Sequence, residues 1–214
     1  MIDYLYKKIL SSDRLALSKG ITLIESKKLK DKNQSEKLLK KLYKKSGKSL
    51  RIGISGPPGV GKSTFIETLG IFLTNKNYKV AVLAVDPSSK KSGGSILGDR
   101  IRFSNTFENS DIFFRSMSTR GSQGGLSKSA TLVADVFDAS GYDIIIFETV
   151  GVGQVEIDVI EAADTIMVTL VPESGDDIQM MKSGLMEIAD LYIINKSDRD
   201  GADRLYNSLN KILE

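Results

Sequence analysis

One run of residues limits this chain more than any other: Gly56-Pro57-Pro58-Gly59-Val60-Gly61-Lys62-Ser63-Thr64. The apolar stretch Leu50-Arg51-Ile52-Gly53-Ile54 leads into it and an amphipathic stretch leaves it, so it reads as strand, glycine loop, helix. Its spacing is G-x-x-x-x-G-K-[ST]. Glycines let backbone wrap closely around a phosphate, and successive N–H groups at a helix N-terminus supply positive potential. Gly56, Pro58, Gly59, Val60, Gly61, Lys62, Ser63 and Thr64 are therefore expected to cradle a nucleotide. Lys62 would reach the β- and γ-phosphates, and the Ser63 hydroxyl would take a Mg²⁺ position.

Downstream the pattern repeats. Strand candidates are 50–55, 79–85, 112–115, 143–147, 165–171 and 191–195. Helical stretches are expected at 62–74, 125–139, 155–162, 176–188 and 201–213. Apolar strands alternating with helices predict an α/β fold: a doubly wound, mostly parallel sheet of the P-loop NTPase kind. In such sheets ligands sit beyond the carboxyl ends of the strands.

The chain of 214 residues carries a net charge of +3, unevenly spread. Residues 1–51 hold +10 and residues 52–214 hold −7. The break at Ser46-Gly47-Lys48 predicts a basic helical segment over 1–48 and a P-loop domain over 49–214. The first segment reads as two or three short helices. Ser12 is the expected cap of one bearing Leu17, Ile21 and Ile24, and Leu38, Leu39 and Leu42 stripe another. A basic face without interleaved aromatics reads first as solvated lysines on a docked appendage; an RNA or acidic-partner surface is the weaker alternative. Nucleic acid is not the expected partner.

There is no Cys, His or Trp. That excludes a disulfide framework, thiolate and imidazole chemistry, and Cys-ligated metals, leaving carboxylates, Lys, Arg, hydroxyls, backbone N–H groups and an oxygen-liking ion. No apolar run approaches the ~20 residues of a membrane span. The Met1-Ile2-Asp3-Tyr4 start does not read as a signal peptide, and Asp3 and Asp13 argue against a transit peptide, so a cytoplasmic protein is expected.

The strand Leu191-Tyr192-Ile193-Ile194 ends in Asn195-Lys196-Ser197-Asp198, an N-K-x-D tetrad. An Asp there can accept from guanine N1–H and the exocyclic amine, whereas adenine would leave the carboxylate unpaired, so GTP is preferred over ATP. Three acids follow other strands or loops: Asp86 in Ala84-Val85-Asp86-Pro87-Ser88-Ser89, Asp99 in Gly93-Gly94-Ser95-Ile96-Leu97-Gly98-Asp99, and Glu148 in Glu148-Thr149-Val150-Gly151-Val152-Gly153-Gln154. With Ser63 and water they would build a magnesium shell; otherwise they are surface acids capping helices. The Gly151 N–H stands where it would meet a γ-phosphate.

Together these motifs resemble the MeaB/ArgK family, the methylmalonyl-CoA mutase-associated GTPases once described as kinases of a lysine/arginine/ornithine transport system. The likeness covers nearly the whole chain. It implies a slow GTPase with GTP or GDP as ligand and Mg²⁺ as cofactor, acting as a chaperone for a cobalamin-dependent acyl-CoA mutase. It makes Lys62, Asp86 and Glu148 catalytic, Ser63, Asp86, Asp99 and Glu148 metal-binding, and Asn195, Lys196 and Asp198 guanine contacts. The run Pro172–Lys182 matches a loop that signals to the mutase. By the family pattern the domain continues past Glu214 through another strand and a dimerisation arm, so this sequence is expected to stop one strand early. The same pattern allows a homodimer, whose arm this sequence lacks.

The expected reaction is in-line attack of water on the γ-phosphate, with Asp86 orienting the water and Gln154 a weaker candidate. The competing readings are a kinase or ATPase tied to lysine/arginine/ornithine transport, a nickel-inserting GTPase, which would need the missing His and Cys, and an idle nucleotide-binding module.

Overall fold

Strand neighbours alternate between two apolar layers. On one strand, Ala81, Leu83 and Val85 enter one core cluster while Val80 and Val82 enter another. On the next, Ile145 and Phe147 go to the first cluster and Ile144 and Ile146 to the second. A strand's period of two produces this split, and only a sheet covered on both faces tolerates it. The structure is a computed structural model describing residues 2–86, 111–118, 125–149, 160, 162–175 and 186–213.

The elements are α1 (Ile2–Leu10), α2 (Arg14–Glu25), α3 (Leu29–Leu42), β1 (Leu50–Ser55), α4 (Lys62–Asn75), β2 (Val80–Asp86), β3 (Phe113–Ser118), α5 (Gly125–Ala139), β4 (Ile144–Thr149), β5 (Thr165–Leu170), β6 (Leu191–Ile194) and α6 (Ala202–Leu213). Short 3₁₀ turns occupy Tyr43–Lys45 and Pro172–Gly175. The six strands form one sheet in the order β3-β2-β4-β1-β5-β6, with every pairing parallel. All their carboxyl ends therefore lie along one edge. The fold is the expected α/β doubly wound class.

One face is covered by α4, where Ile66 packs with Ile52, Ile54 and Val82. The opposite face is covered by α5 through Ala130, Val133, Ala134 and Phe137. The N-terminal helices join this second layer: Ile9, Leu17, Ile21, Leu38 and Leu42 are at most 1% exposed and share its cluster. Each such side chain contributes about 1.5–3 kcal/mol by leaving water. Phe113, Phe137 and Tyr142 meet edge-to-face, with centroids 5.4–6.1 Å apart. Burial there pushes the Tyr142 phenol up to about 12.

Polar ties fasten the basic segment to the sheet. Arg14 donates to the Ile112 carbonyl at 2.7 Å, and Arg115 pairs with Glu25. The Asp138 carboxylate, 4% exposed, accepts the backbone N–H groups of Gly47, Lys48 and Ser49. Within the sheet domain, Arg51 of β1 donates to Asp135 of α5 at 2.6 Å.

The capping expectation for α2 needs correction. Asp13 is the N-cap, its carboxylate accepting from the Ala16 N–H at 2.8 Å. Ser12 lies outside the helix in a left-handed conformation, φ 57°, and its hydroxyl donates to the Ser140 carbonyl at 2.7 Å. An ionised carboxylate suits the positive end of a helix at least as well as a hydroxyl, and the contact to Ser140 engages Ser12 elsewhere. Strands β2 and β3 also run later than expected, to Asp86 and Ser118. Residues 186–188 form a turn, not the end of a helix; the expected helix over 155–162 and the rest of that over 176–188 fall almost wholly outside the described residues.

Candidate nucleotide site

The carboxyl edge of the sheet brings Ser55, Thr149 and the last residues of β2 and β5 side by side. Between β1 and α4 the chain must turn back over this edge in six residues, and glycine makes that passage feasible. Gly56 has φ 141°, and a Cβ on it would lie 2.1 Å from the Thr169 carbonyl oxygen. Gly61 has φ 95°, and a Cβ there would lie 2.5 Å from Asn195 Nδ2. Neither position admits a larger residue without moving backbone or breaking a contact.

A cavity of about 620 Å³ opens over this loop, lined in part by Pro58, Gly59, Gly61, Lys62, Ser63 and Thr64. The first turn of α4 points its free N–H groups toward it, which favours an anion. Val60 is turned inward, 2% exposed, and anchors the loop. Lys62 is only 8% exposed and its ammonium donates to the carbonyls of Gly56 at 2.7 Å and Pro57 at 3.0 Å. Desolvation lowers its pKa from the ordinary lysine value, and the Glu148 carboxylate works against that shift. The charge is held folded against the loop that an incoming phosphate would occupy.

Glu148, on β4, is 4% exposed and accepts a hydrogen bond from the Ser63 hydroxyl at 2.6 Å. Two oxygen donors from different elements thus meet at the cavity wall. A hard divalent cation prefers such a donor set, so the residues present fit Mg²⁺. Asp86 ends β2, the neighbour of β4, with Ala84 in register with Glu148 and Val85 with Thr149. Its backbone therefore stands at the same sheet edge as Glu148.

The tetrad after β6 reaches the loop from the other side. Asn195 Nδ2 donates to the Val60 carbonyl at 2.8 Å, and Lys196 Nζ donates to the Gly59 carbonyl at 2.9 Å. Lys196 adopts φ 55°, which turns the chain sharply and leaves Asp198 exposed to solvent. Asn195 and Lys196 thus brace the glycine loop, and Asp198 lies exposed outside the cavity lining. Arg199 pairs with Glu173 at 2.8 Å, tying this segment to the turn after β5 and holding the Glu173 carboxyl below its usual range.

Gly56, Pro58, Gly59, Val60, Gly61, Lys62, Ser63, Thr64, Glu148, Asn195 and Lys196 are brought together here. Asp99, Gly151 and Gln154 lie outside the described residues, as does the side chain of Asp86. The expected signalling loop is described only from Pro172 to Gly175. Two wall residues escaped the sequence reading: Glu67 and Thr149. Glu67 stands one helical turn after Ser63, and that i, i+4 spacing was the available signal.

The family of methylmalonyl Co-A mutase-associated GTPases, MeaB, matches residues 17–214. A Pyrococcus abyssi protein carrying a provisional GTPase name is 45% identical over 214 residues, covering 100% of this chain and 65% of that protein. A Caenorhabditis elegans protein named methylmalonic aciduria type A homolog, mitochondrial, is 42% identical over 93% of this chain and 53% of its own length. A crystal structure titled LAO/AO transport system kinase superposes with a TM-score of 0.76 at 33% identity, covering 97% of this chain and 60% of that one. The chain therefore spans less than two thirds of each of these proteins.

Proposed function

The chain belongs to the family of methylmalonyl Co-A mutase-associated GTPases, and from that premise we propose that it binds GTP and hydrolyses it to GDP and phosphate. The observation carrying this reading is the convergence of Lys62, Ser63 and Glu148 on the walls of one cavity, under a loop braced by Asn195 and Lys196.

Phosphoryl transfer needs positioning and charge neutralisation more than covalent chemistry. Backbone N–H groups of the glycine loop and the start of α4 bind the phosphate oxygens. Lys62 exchanges its two carbonyl partners for β- and γ-phosphate oxygens, gaining the counter-charge that its burial otherwise denies it. Ser63 and Glu148 would hold Mg²⁺, with Asp86 and Asp99 joining directly or through water. That ion, when bound, neutralises charge building on the phosphates. Asp86 orients the water, which attacks in line as the bond from the γ-phosphorus to the bridging oxygen breaks; Gly151 contacts the γ-phosphate. Asp198 reads guanine through its N1–H and exocyclic amine. The family's name points to a cobalamin-dependent acyl-CoA mutase as partner, with this chain as its nucleotide-gated chaperone and Pro172–Lys182 as the segment facing it.

Phosphate release from GTP and ATP tests the reading. GTP should turn over and ATP should not. Lys62→Ala should slow release by about a hundred-fold or more. Asp198→Asn should move preference from GTP to XTP, since xanthine presents an acceptor where guanine presents its amine. Equal use of ATP, or full activity in Lys62→Ala, would remove this assignment. Co-purification with acyl-CoA mutases that responds to GDP against a non-hydrolysable GTP analogue tests the chaperone role separately.

A further inference from the structure

Helices α3 and α5 leave a cleft of about 400 Å³ between them. Its floor is Leu42, 1% exposed, and its walls are the half-buried Leu39 and Leu132. Tyr43, 74% exposed, stands at the mouth. The rim is cationic. Lys40 and Lys44 line it, Lys37 continues their row at the i, i+3, i+7 spacing, and Lys128 lies one turn before Leu132 on α5. These four lysines are exposed, and none forms a salt bridge with a described residue. The acid inside the cleft, Asp135, is already neutralised by Arg51 at 2.6 Å. Glu36 is the exposed acid on this stretch of α3, one turn before Lys40.

We propose that this cleft docks an amphipathic helix of a partner protein, with an apolar stripe seated between α3 and α5 and Asp or Glu residues flanking it toward the lysine rim. Both walls are helices, and among the described residues no strand lines the cleft, so a third helix packing ridge-into-groove is the geometry on offer. Charge complementarity selects acidic flanks. A nucleic acid would use the lysines but has no use for a floor of leucine side chains. An anionic membrane needs several projecting apolar groups, and the leucines here, Leu39, Leu42 and Leu132, are recessed behind Tyr43.

The position adds to the argument. Asp135 and Asp138 tie this end of α5 to Arg51 and to Gly47–Ser49, where β1 begins. The cleft thus faces the amino end of the sheet, and the phosphate loop lies at the carboxyl end. A docked helix therefore leaves the nucleotide cavity open.

The test uses the full chain and a labelled helical peptide of about 18 residues, with a leucine stripe flanked by glutamates. Fluorescence polarisation should show roughly micromolar affinity, weakening as salt rises. The leucine methyl resonances of Leu39 and Leu132 should shift on titration. Lys40→Glu combined with Lys44→Glu should weaken binding about ten-fold or more, and Tyr43→Ser, at an exposed site, should weaken it without altering the thermal melt. A peptide with the same leucines and lysine flanks should not bind. Equal binding of both peptides, unchanged affinity in the double lysine variant, or capture through Lys40 and Lys44 of a single-stranded RNA or a phosphatidylserine vesicle in place of the peptide each overturns the proposal.

Discussion

Lys62 and Tyr142 show how burial acts on single groups. The lysine is an ammonium 8% exposed that donates to two carbonyls, and the phenol is 7% exposed among two aromatic rings. Each is biased toward its neutral form. For Tyr142 the consequence is measurable. Its folded-state pKa of about 12 lies above the ordinary tyrosine value of 10.0. Stability owed to the neutral phenol is complete below pH 10 and is lost as pH rises from there through the folded value. The loss should not exceed about 2–3 kcal/mol. Urea denaturation at stepped alkaline pH checks it: Tyr142→Phe should flatten that part of the profile, and a slope identical to wild type would show that another group carries it. The meeting of Lys62 and Ser63 at the cavity was legible in the sequence because both belong to one local loop. The bonds from Asn195 to Val60 and from Lys196 to Gly59 were not, since those partners are more than a hundred residues apart in the chain.

At the scale of elements, the joint between β1 and α4 depends on backbone that no side chain can enter. Gly56→Ala would set a Cβ against the Thr169 carbonyl in a conformation that L residues rarely adopt. We expect a loss of at least about 2 kcal/mol in chemical denaturation, together with lost binding of a fluorescent GTP analogue. Wild-type stability with intact binding would show that the loop relaxes more easily than its geometry implies. Most strands and helices among the described residues follow from periodicity, because a two-sided sheet needs uninterrupted apolar runs. Their ends are less legible. β3 extends to Ser118 because Ala84, Val85 and Asp86 supply a parallel partner for Ser116, Met117 and Ser118, not because those residues form an apolar run. The Asp13 cap prevailed over Ser12 because a distant carbonyl, that of Ser140, engages the serine.

Across the whole molecule, the basic N-terminal helices and the sheet share one apolar layer. Removing residues 1–46 would uncover Ala130, Val133, Phe137 and Phe113 and would leave Arg115 without Glu25. We expect the shortened chain to lose its cooperative thermal transition or aggregate, as calorimetry and light scattering would report. A sharp, unshifted melt would show instead that the sheet domain stands alone.

The sequence by itself determined the kind of fold and which residue types stand at its loops. A G-x-x-x-x-G-K-S run between an apolar strand and a helix admits few alternatives, and the absence of Cys and His confines the chain to oxygen and nitrogen ligands of other kinds. Family membership follows from the same residues. Tertiary structure alone decided the strand order, the placing of Glu148 against Ser63, and the way the late tetrad grips the early loop. It also decided that α3 and α5 stand apart enough to leave an apolar cleft beneath a row of lysines. The physical reason is range: dihedral preference and hydrophobic period act over a few residues, while the site and the cleft are contacts between segments that only packing brings together.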